Sequence, residues 1–221
     1  MMQPIALIRT PFGEKFGVPR QPLLIREAWG KLSFPKTDFY SEAFRGLEDF
    51  SHLWLIFEFH HIEDKDYGAL VRPPRFFGKK KLGVFATRSP HRPNRLGLSV
   101  VEFDRIEVLA SEIVLWVRGV DLLDGTPVYD IKPYVPYCDS IAAATASYFE
   151  RPEILAVTWE CECRLDPQTR ALLEKVIGID PRPGQDHGSA EEYGVSVAGW
   201  NARFKKIGDA FVITKVARRP S

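Results

Sequence analysis

Apolar residues fall in short runs along the first two-thirds of the chain, and few of them repeat with a helical period. "IALIRT" (residues 5–10) is an apolar run that stops at Pro11. "HLWLIFEFHH" (52–61) is apolar and aromatic, with the composition of a strand. "LGVFAT" (82–87) predicts a strand, as do "LGLSVVEFDRIEVL" (96–109) and "EIVLWVRGVDLL" (112–123). Asp124-Gly125 is a tight-turn dipeptide, and "TPVYDIKPYV" leads out of it. Before the aromatic run, "SEAFRGLEDF" predicts one or two helical turns capped by Ser41. Strands this short, joined by turns, predict a mainly β protein whose antiparallel sheet closes or nearly closes into a barrel.

The pattern changes after residue 140. "PYVPYCDSIAAATASYFERPE" reads as a linker, followed by a strand, "ILAVTWECECR". One convincing helix comes next. Asp166 or an adjacent residue caps it, Pro167 opens it, "QTRALLEKVIG" gives the apolar stripe and Gly178 ends it. After the loop "DPRPGQDHGSAEE", the segments "YGVSVAGWNARFKK" and "AFVITKVARR" predict a hairpin turning at Gly208-Asp209. The expected organisation is a β domain over 1–140 and a smaller α+β domain over 141–221.

Composition narrows the partners. The chain has 221 residues and a formal net charge of +1, so a polyanion would have to be held by a local patch. Cys138, Cys161 and Cys163 do not form a disulfide framework or a zinc-ribbon spacing, and read as reduced, buried thiols of a cytosolic protein. The N-terminal residues lack the apolar stretch of a signal peptide, and no run approaches the ~20 apolar residues of a membrane span.

One loop carries most of the candidate chemistry. In "ATRSPHRPNRLG" (86–97), Pro90 and Pro93 restrict the backbone around Arg88, Arg92 and Arg95, predicting an extended, stiff segment that projects cations. Guanidinium forks suit carboxylate or phosphate, and Asn94 can donate and accept toward a base edge or amide. "FGVPRQP" adds a Gly/Pro loop bearing Pro19, Arg20 and Gln21. His60 and His61 close the aromatic strand, where neighbours point to opposite faces. No nearby residues complete a metal site around them. Lys79, Lys80 and Lys81 precede the arginine loop and could extend a phosphate-tracking patch. Asp121, Asp124 and Asp130 surround the tight turn, where plain turn capping is the simpler explanation. No glycine-rich nucleotide fingerprint, Walker loop or nucleophile elbow is present. The residues alone therefore reach a β-rich protein with a rigid anion-binding loop, without a reaction.

"GVFATRSPHRPNRLGLS" and "DGTPVYDIKPY" closely resemble the TsaA-like family. "PFGEKFGVPRQP", "FHH" and "DPRP…EEYGVSV…NARF" extend the similarity to its bacterial TrmO-type branch and to nearly the whole chain. The resemblance implies a single-sheet barrel and a cytoplasmic homodimer. It implies S-adenosylmethionine-dependent methylation of N6 of threonylcarbamoyl-adenosine at tRNA position 37. Matched by motif, the implied cofactor-binding residues are Pro19, Arg20, Gln21, His60, His61, Arg88, Leu98, Asp124, Gly125, Thr126 and Pro127. That leaves Arg92, Arg95, Lys79, Lys80 and Lys81 for the tRNA anticodon loop, with Tyr129 or Tyr134 to stack on the base. Asn94 and Asp130 are the candidate catalytic groups. Two other readings fit the same loop: a non-catalytic RNA-binding module, and a methyltransferase for another small acid-bearing substrate.

Overall fold

The computed structural model describes residues 2–63, 67–73, 80–183, 186–187, 189 and 191–219; Lys79 lies outside them. The strands are β1 (Ala6–Arg9), β2 (Trp29–Pro35), β3 (His52–Glu58), β4 (Leu70–Val71), β5 (Leu82–Gly83), β6 (Leu96–Val108), β7 (Glu112–Arg118), β8 (Thr126–Pro133), β9 (Ala156–Trp159), β10 (Tyr193–Val197), β11 (Trp200–Ile207) and β12 (Ala210–Arg218). The helices are α1 (Asp38–Ala43), α2 (Pro136–Asp139) and α3 (Pro167–Gly178).

A closed barrel forms in the order β1-β2-β7-β6-β3-β8, with β8 returning to β1. Every neighbouring pair is antiparallel. Alternation along β3 shows how the barrel fills: Leu53, Leu55 and Phe57 point inward and are buried, while His52, Trp54, Ile56 and Glu58 face outward. Leu32 and Phe34 of β2, Leu115 and Val117 of β7, and Val128 of β8 complete the interior. Each such burial stabilises by about 1.5–3 kcal/mol. Glycine is required at position 97, because a Cβ there would run into the Phe57 ring.

A second sheet, β10-β11-β12-β9, is antiparallel except for the parallel β12–β9 pair. α3 packs on it, with Asp166 accepting from the Thr169 amide at 2.9 Å. The core runs without interruption from the barrel into this sheet. The β1–β2 loop makes the join. Gly17, at φ +94°, lies so close to Val195 that no side chain fits. The Ala198 amide also donates to the Pro11 carbonyl at 2.8 Å.

The structure corrects several local expectations. The helical turns before β3 start earlier, at Asp38, and are capped by Thr37 rather than Ser41. "LGVFAT" keeps only a two-residue strand before a 3-10 turn at Val84–Ala86. "YGVSVAGWNARFKK" is itself a hairpin, since Ala198 and Gly199 both take positive φ, as a tight strand-to-strand turn requires. β2 went unread, as its glycine and polar residues hide a strand whose inward positions Gly30, Leu32 and Phe34 alternate cleanly. The cysteines are free thiols, but Cys138 is exposed and Cys161 and Cys163 only partly buried. Cys138 sits in the α2 segment, while Cys161 and Cys163 follow the end of β9, where Cys161 packs against the edge of the core.

The loop after α3 hangs on Arg182, whose side chain is fully buried. It pairs with Asp180 at 2.7 Å, donates to the carbonyls of Ser189 and His187, and lies over the Phe211 ring. Removing it strands a carboxylate and two carbonyls. Arg182→Ala is expected to lower unfolding free energy by about 3–5 kcal/mol in urea denaturation. A loss below about 1 kcal/mol would show that the loop repacks without it.

Candidate active site at the barrel mouth

The barrel's connectivity brings four loops to one end. β1, β3 and β7 finish there and β2, β6 and β8 start there, so segments 10–28, 59–62, 87–95 and 119–125 surround a single mouth. They enclose a cavity of about 260 Å³. This is slightly below the usual range of small-molecule sites, about 300–1,000 Å³. Phe57, Phe59, Ile62, Leu122 and Leu123 supply apolar wall, with Val18 and Pro90 at its edge. The polar lining is Lys15, His60, His61, Asp121 and Thr126.

The arginine loop is stiff, but not extended as expected. Thr87 and Ser89 use their hydroxyls to coil it: the Ser89 amide donates to Thr87 Oγ1 and the His91 amide to Ser89 Oγ. Arg95 N donates to the Arg92 carbonyl at 3.2 Å, and Arg95 itself sits at φ +50°. Its three arginines then diverge. Arg88 is exposed and donates to Gln21 Oε1 at 2.6 Å, joining two of the loops. Arg92 folds back onto the carbonyls of Thr87 and Ser89, neutral partners that leave its charge uncompensated by those bonds. Arg95 is tied to Glu58 at 3.0 Å and to the Ile62 carbonyl at 2.6 Å. Tyr129 donates to the other Glu58 oxygen at 2.6 Å, and this bond raises the tyrosine's pKa.

Other candidates occupy clear positions. His60 and His61 both line the cavity with ring centroids 4.1 Å apart. They do not point to opposite faces, because β3 ends at Glu58 and a turn replaces strand alternation. Burial, and then the neighbouring His61, lower the pKa of His60. Asp124 accepts from the Thr10 amide at 2.9 Å and pairs with Arg9 at 3.2 Å, while Gly125 supplies the positive φ of the turn. Pro19 is buried beneath the rim, and Arg20 donates to the Arg182 carbonyl at 3.1 Å, linking the rim to the second sheet. Pro127 and Leu98 lie on the outer wall instead, and Leu98 is 54% exposed. Asp130 is also outside, paired with Lys132 at 2.9 Å. Tyr134 packs beside Trp54. Asn94, Lys80 and Lys81 are exposed. Among the described residues, no three His, Cys, Asp or Glu side chains form a metal-binding group. No helix among them is long and apolar enough to cross a membrane.

Two groups escaped the sequence reading. Nothing in the sequence sets Lys15 apart from other loop lysines, yet it lines the cavity. Asp121 read as turn capping, yet it lines the cavity and receives a 2.7 Å hydrogen bond from Ser99 inside the barrel. Burial pushes its pKa up to about 6 against that bond and the pull of Arg88. Its one sequence signal is the pairing of a polar inward Ser99 with an acid beyond the next hairpin.

A single closed antiparallel barrel, with a largely apolar cavity at one mouth and arginines on its rim, defines a β-barrel protein with a candidate small-molecule site and no glycine-rich cradle. The family model for the tRNA-methyltransferase O N-terminal domain matches residues 7–140, and the chain belongs to that family. It is 41% identical to the tRNA (adenine(37)-N6)-methyltransferase of Escherichia coli K12, covering 89% of this chain and 87% of the relative. It is 45% identical to a Pseudomonas aeruginosa protein, RcsF, whose name places it provisionally among S-adenosylmethionine-dependent methyltransferases; that match covers 88% of this chain and 87% of the relative. The crystal structure of TrmO from Pseudomonas aeruginosa superposes with a TM-score of 0.77 at 37% identity, covering 98% of each chain.

The Arg95–Glu58–Tyr129 chain holds β6, β3 and β8 together at the rim. Arg95→Ala is expected to cost about 1–2 kcal/mol of stability and to speed amide hydrogen exchange in residues 87–95. Unchanged exchange there would contradict this tie.

Proposed function

We propose that this protein is an S-adenosylmethionine-dependent methyltransferase that modifies N6 of adenine 37 in tRNA. Its preferred substrate is the threonylcarbamoyl form of that adenosine. The observation that carries the reading is the convergence of Lys15, His60, His61, Pro90 and Asp121 on one cavity, with the Arg88–Gln21 hydrogen bond joining two of the loops around it. These residues belong to four stretches that lie far apart in sequence.

The residues present fit the cofactor. Phe57, Phe59, Leu122 and Leu123 offer apolar wall for adenine, and Arg88 and Lys15 offer charge to its carboxylate. Asp124 is committed to Thr10 and Arg9. The bound cofactor supplies an electrophilic methyl group on a cationic sulfur. The chain's task is to orient the acceptor nitrogen in line with that methyl group and to exclude water, and positioning of this kind supplies much of the rate.

Arg92 is assigned to the threonyl carboxylate, because Arg95 already has Glu58 as its counterion. An arginine poised for that acid disfavours unmodified adenosine, which would leave it unpaired. Asn94 and Lys80 and Lys81 lie on the exposed side of the same loops, where an anticodon loop would rest.

Residues 1–140 are taken as the catalytic unit and 141–221 as an RNA-contacting unit. On the second sheet, exposed Arg203 stands directly opposite exposed Lys215. Opposed like charges destabilise a strand pair, and a phosphate backbone relieves them. The protein is proposed to act in the cytoplasm as a homodimer. Leu7 and Leu98, each 54% exposed on the outer wall, offer apolar surface to a second copy.

Incubation with tRNA and labelled S-adenosylmethionine, followed by nucleoside mass spectrometry, is expected to yield the N6-methylated threonylcarbamoyl nucleoside. Cofactor binding in calorimetry with no methylated product would instead leave a binding protein. Arg88→Ala is expected to weaken cofactor binding by about 10-fold or more, equivalent to one charge-assisted hydrogen bond, with tRNA binding little changed. Arg92→Ala is expected to do the reverse. Equal losses in both assays would contradict the division of the loop.

A further inference from the structure

We propose that Asp121 accepts the proton that the adenine nitrogen loses during methyl transfer, a role that rests on the function proposed above. The exocyclic nitrogen is a poor nucleophile because its lone pair is delocalised into the ring. A carbamoyl substituent delocalises it further. Its N–H must therefore give up its proton as the new bond forms. The nitrogen bonds the methyl carbon, and the carbon–sulfur bond breaks with its electron pair going to sulfur, which leaves as a neutral thioether. The proton passes to the Asp121 carboxylate, which becomes a neutral acid and later releases it to solvent through the mouth.

Geometry selects Asp121 over the other acids. Asp124 caps Thr10 and pairs with Arg9. Glu58 is held between Arg95 and Tyr129. Asp130 lies on the outer wall, paired with Lys132, and so does not reach the cavity. Asp121 lines the cavity, and Ser99 fixes one of its oxygens at 2.7 Å. Arg88, Lys15, His60 and His61 are the charged or titratable groups that face it from the surrounding loops. His60 is the weaker acceptor, since burial and His61 reduce its hold on a proton. Burial raises the pKa of Asp121 to about 6, close to the pH at which a base must work.

Asp121→Asn keeps the shape and the Ser99 contact. Its affinities for S-adenosylhomocysteine and tRNA should stay within about threefold, while the methylation rate falls by about 10²- to 10⁴-fold. In the unaltered protein kcat/KM should rise with a single ionisation near pH 6. That limb should vanish in Asp121→Asn and shift to higher pH in Ser99→Ala, which removes a hydrogen bond favouring the charged form. Stability gives a readout separate from turnover. Because the folded protein holds this proton more tightly than the unfolded chain, stability is lost as pH rises from about 4 through about 6. Asp121→Asn should therefore melt higher than the unaltered protein at pH 7, with the gain vanishing below about pH 4.

A rate within threefold of normal, an unmoved pH limb in Ser99→Ala, or a lower melting point for Asp121→Asn at pH 7 would each overturn the assignment. If Asp121→Asn does not fold, the Ser99→Ala profile decides alone. Methylation that persists without Asp121 refutes only this role. Absence of both cofactor binding and methylation in the unaltered protein refutes the underlying function.

Discussion

Pairing of β1 with β8 closes the barrel, and the site depends on that closure. A four-residue strand, Ala6–Arg9, brings the start of the chain against Thr126–Val128. This fixes the loop after β1 beside the turn before β8. The same register places the Thr10 amide on Asp124 and the Thr10 hydroxyl on the Leu122 carbonyl. The turn is thus held from the side, and Asp121 and Thr126 face the cavity rather than solvent. Without this seam, the Pro19–Gln21 segment and the arginine loop would have no common rim to meet on.

Charge at the rim is sorted by its counterions. Arg95, in a left-handed backbone conformation, is spent on Glu58 and the Ile62 carbonyl, and so serves as a brace. Arg88 and Arg92 make their hydrogen bonds to an amide and to carbonyls, which keeps their positive charge available to an anionic ligand. A chain with a net charge of +1 can thereby present a cationic mouth without being basic overall. The second sheet contributes through Arg182, whose buried guanidinium shapes the loop and whose carbonyl receives Arg20.

The barrel was legible because its long strands alternate clearly, as in Leu53, Leu55 and Phe57, and because Asp124-Gly125 names its own turn. β2 was not legible, since Gly30 replaces a large inward residue where Ile8, Val117 and Val120 crowd the axis. The arginine loop announced its chemistry through composition, but the fate of each arginine depended on distant partners. Nothing near Arg95 in sequence indicates Glu58, and nothing near Arg88 indicates Gln21. Asp121 was hidden for the same reason: its partner Ser99 lies on another strand, and its burial is a property of the closed barrel. Leu98 and Asp130 sat in the right motifs, but alternation turns Leu98 outward, and the bulge opposite Ile56 and Phe57 shifts Asp130 to the outer face.

One barrel mouth is proposed to hold a methyl donor and an acidic adenine nucleoside side by side. The most direct measurement is a crystal structure with S-adenosylhomocysteine and a modified anticodon stem-loop. The thioether is expected in the cavity between His60 and Asp121, the acceptor nitrogen within hydrogen-bonding reach of the Asp121 carboxylate, and Arg92 turned to the threonyl carboxylate. A donor bound only on the outer wall, with the cavity filled by water and Asp121 remote from both ligands, would contradict that arrangement.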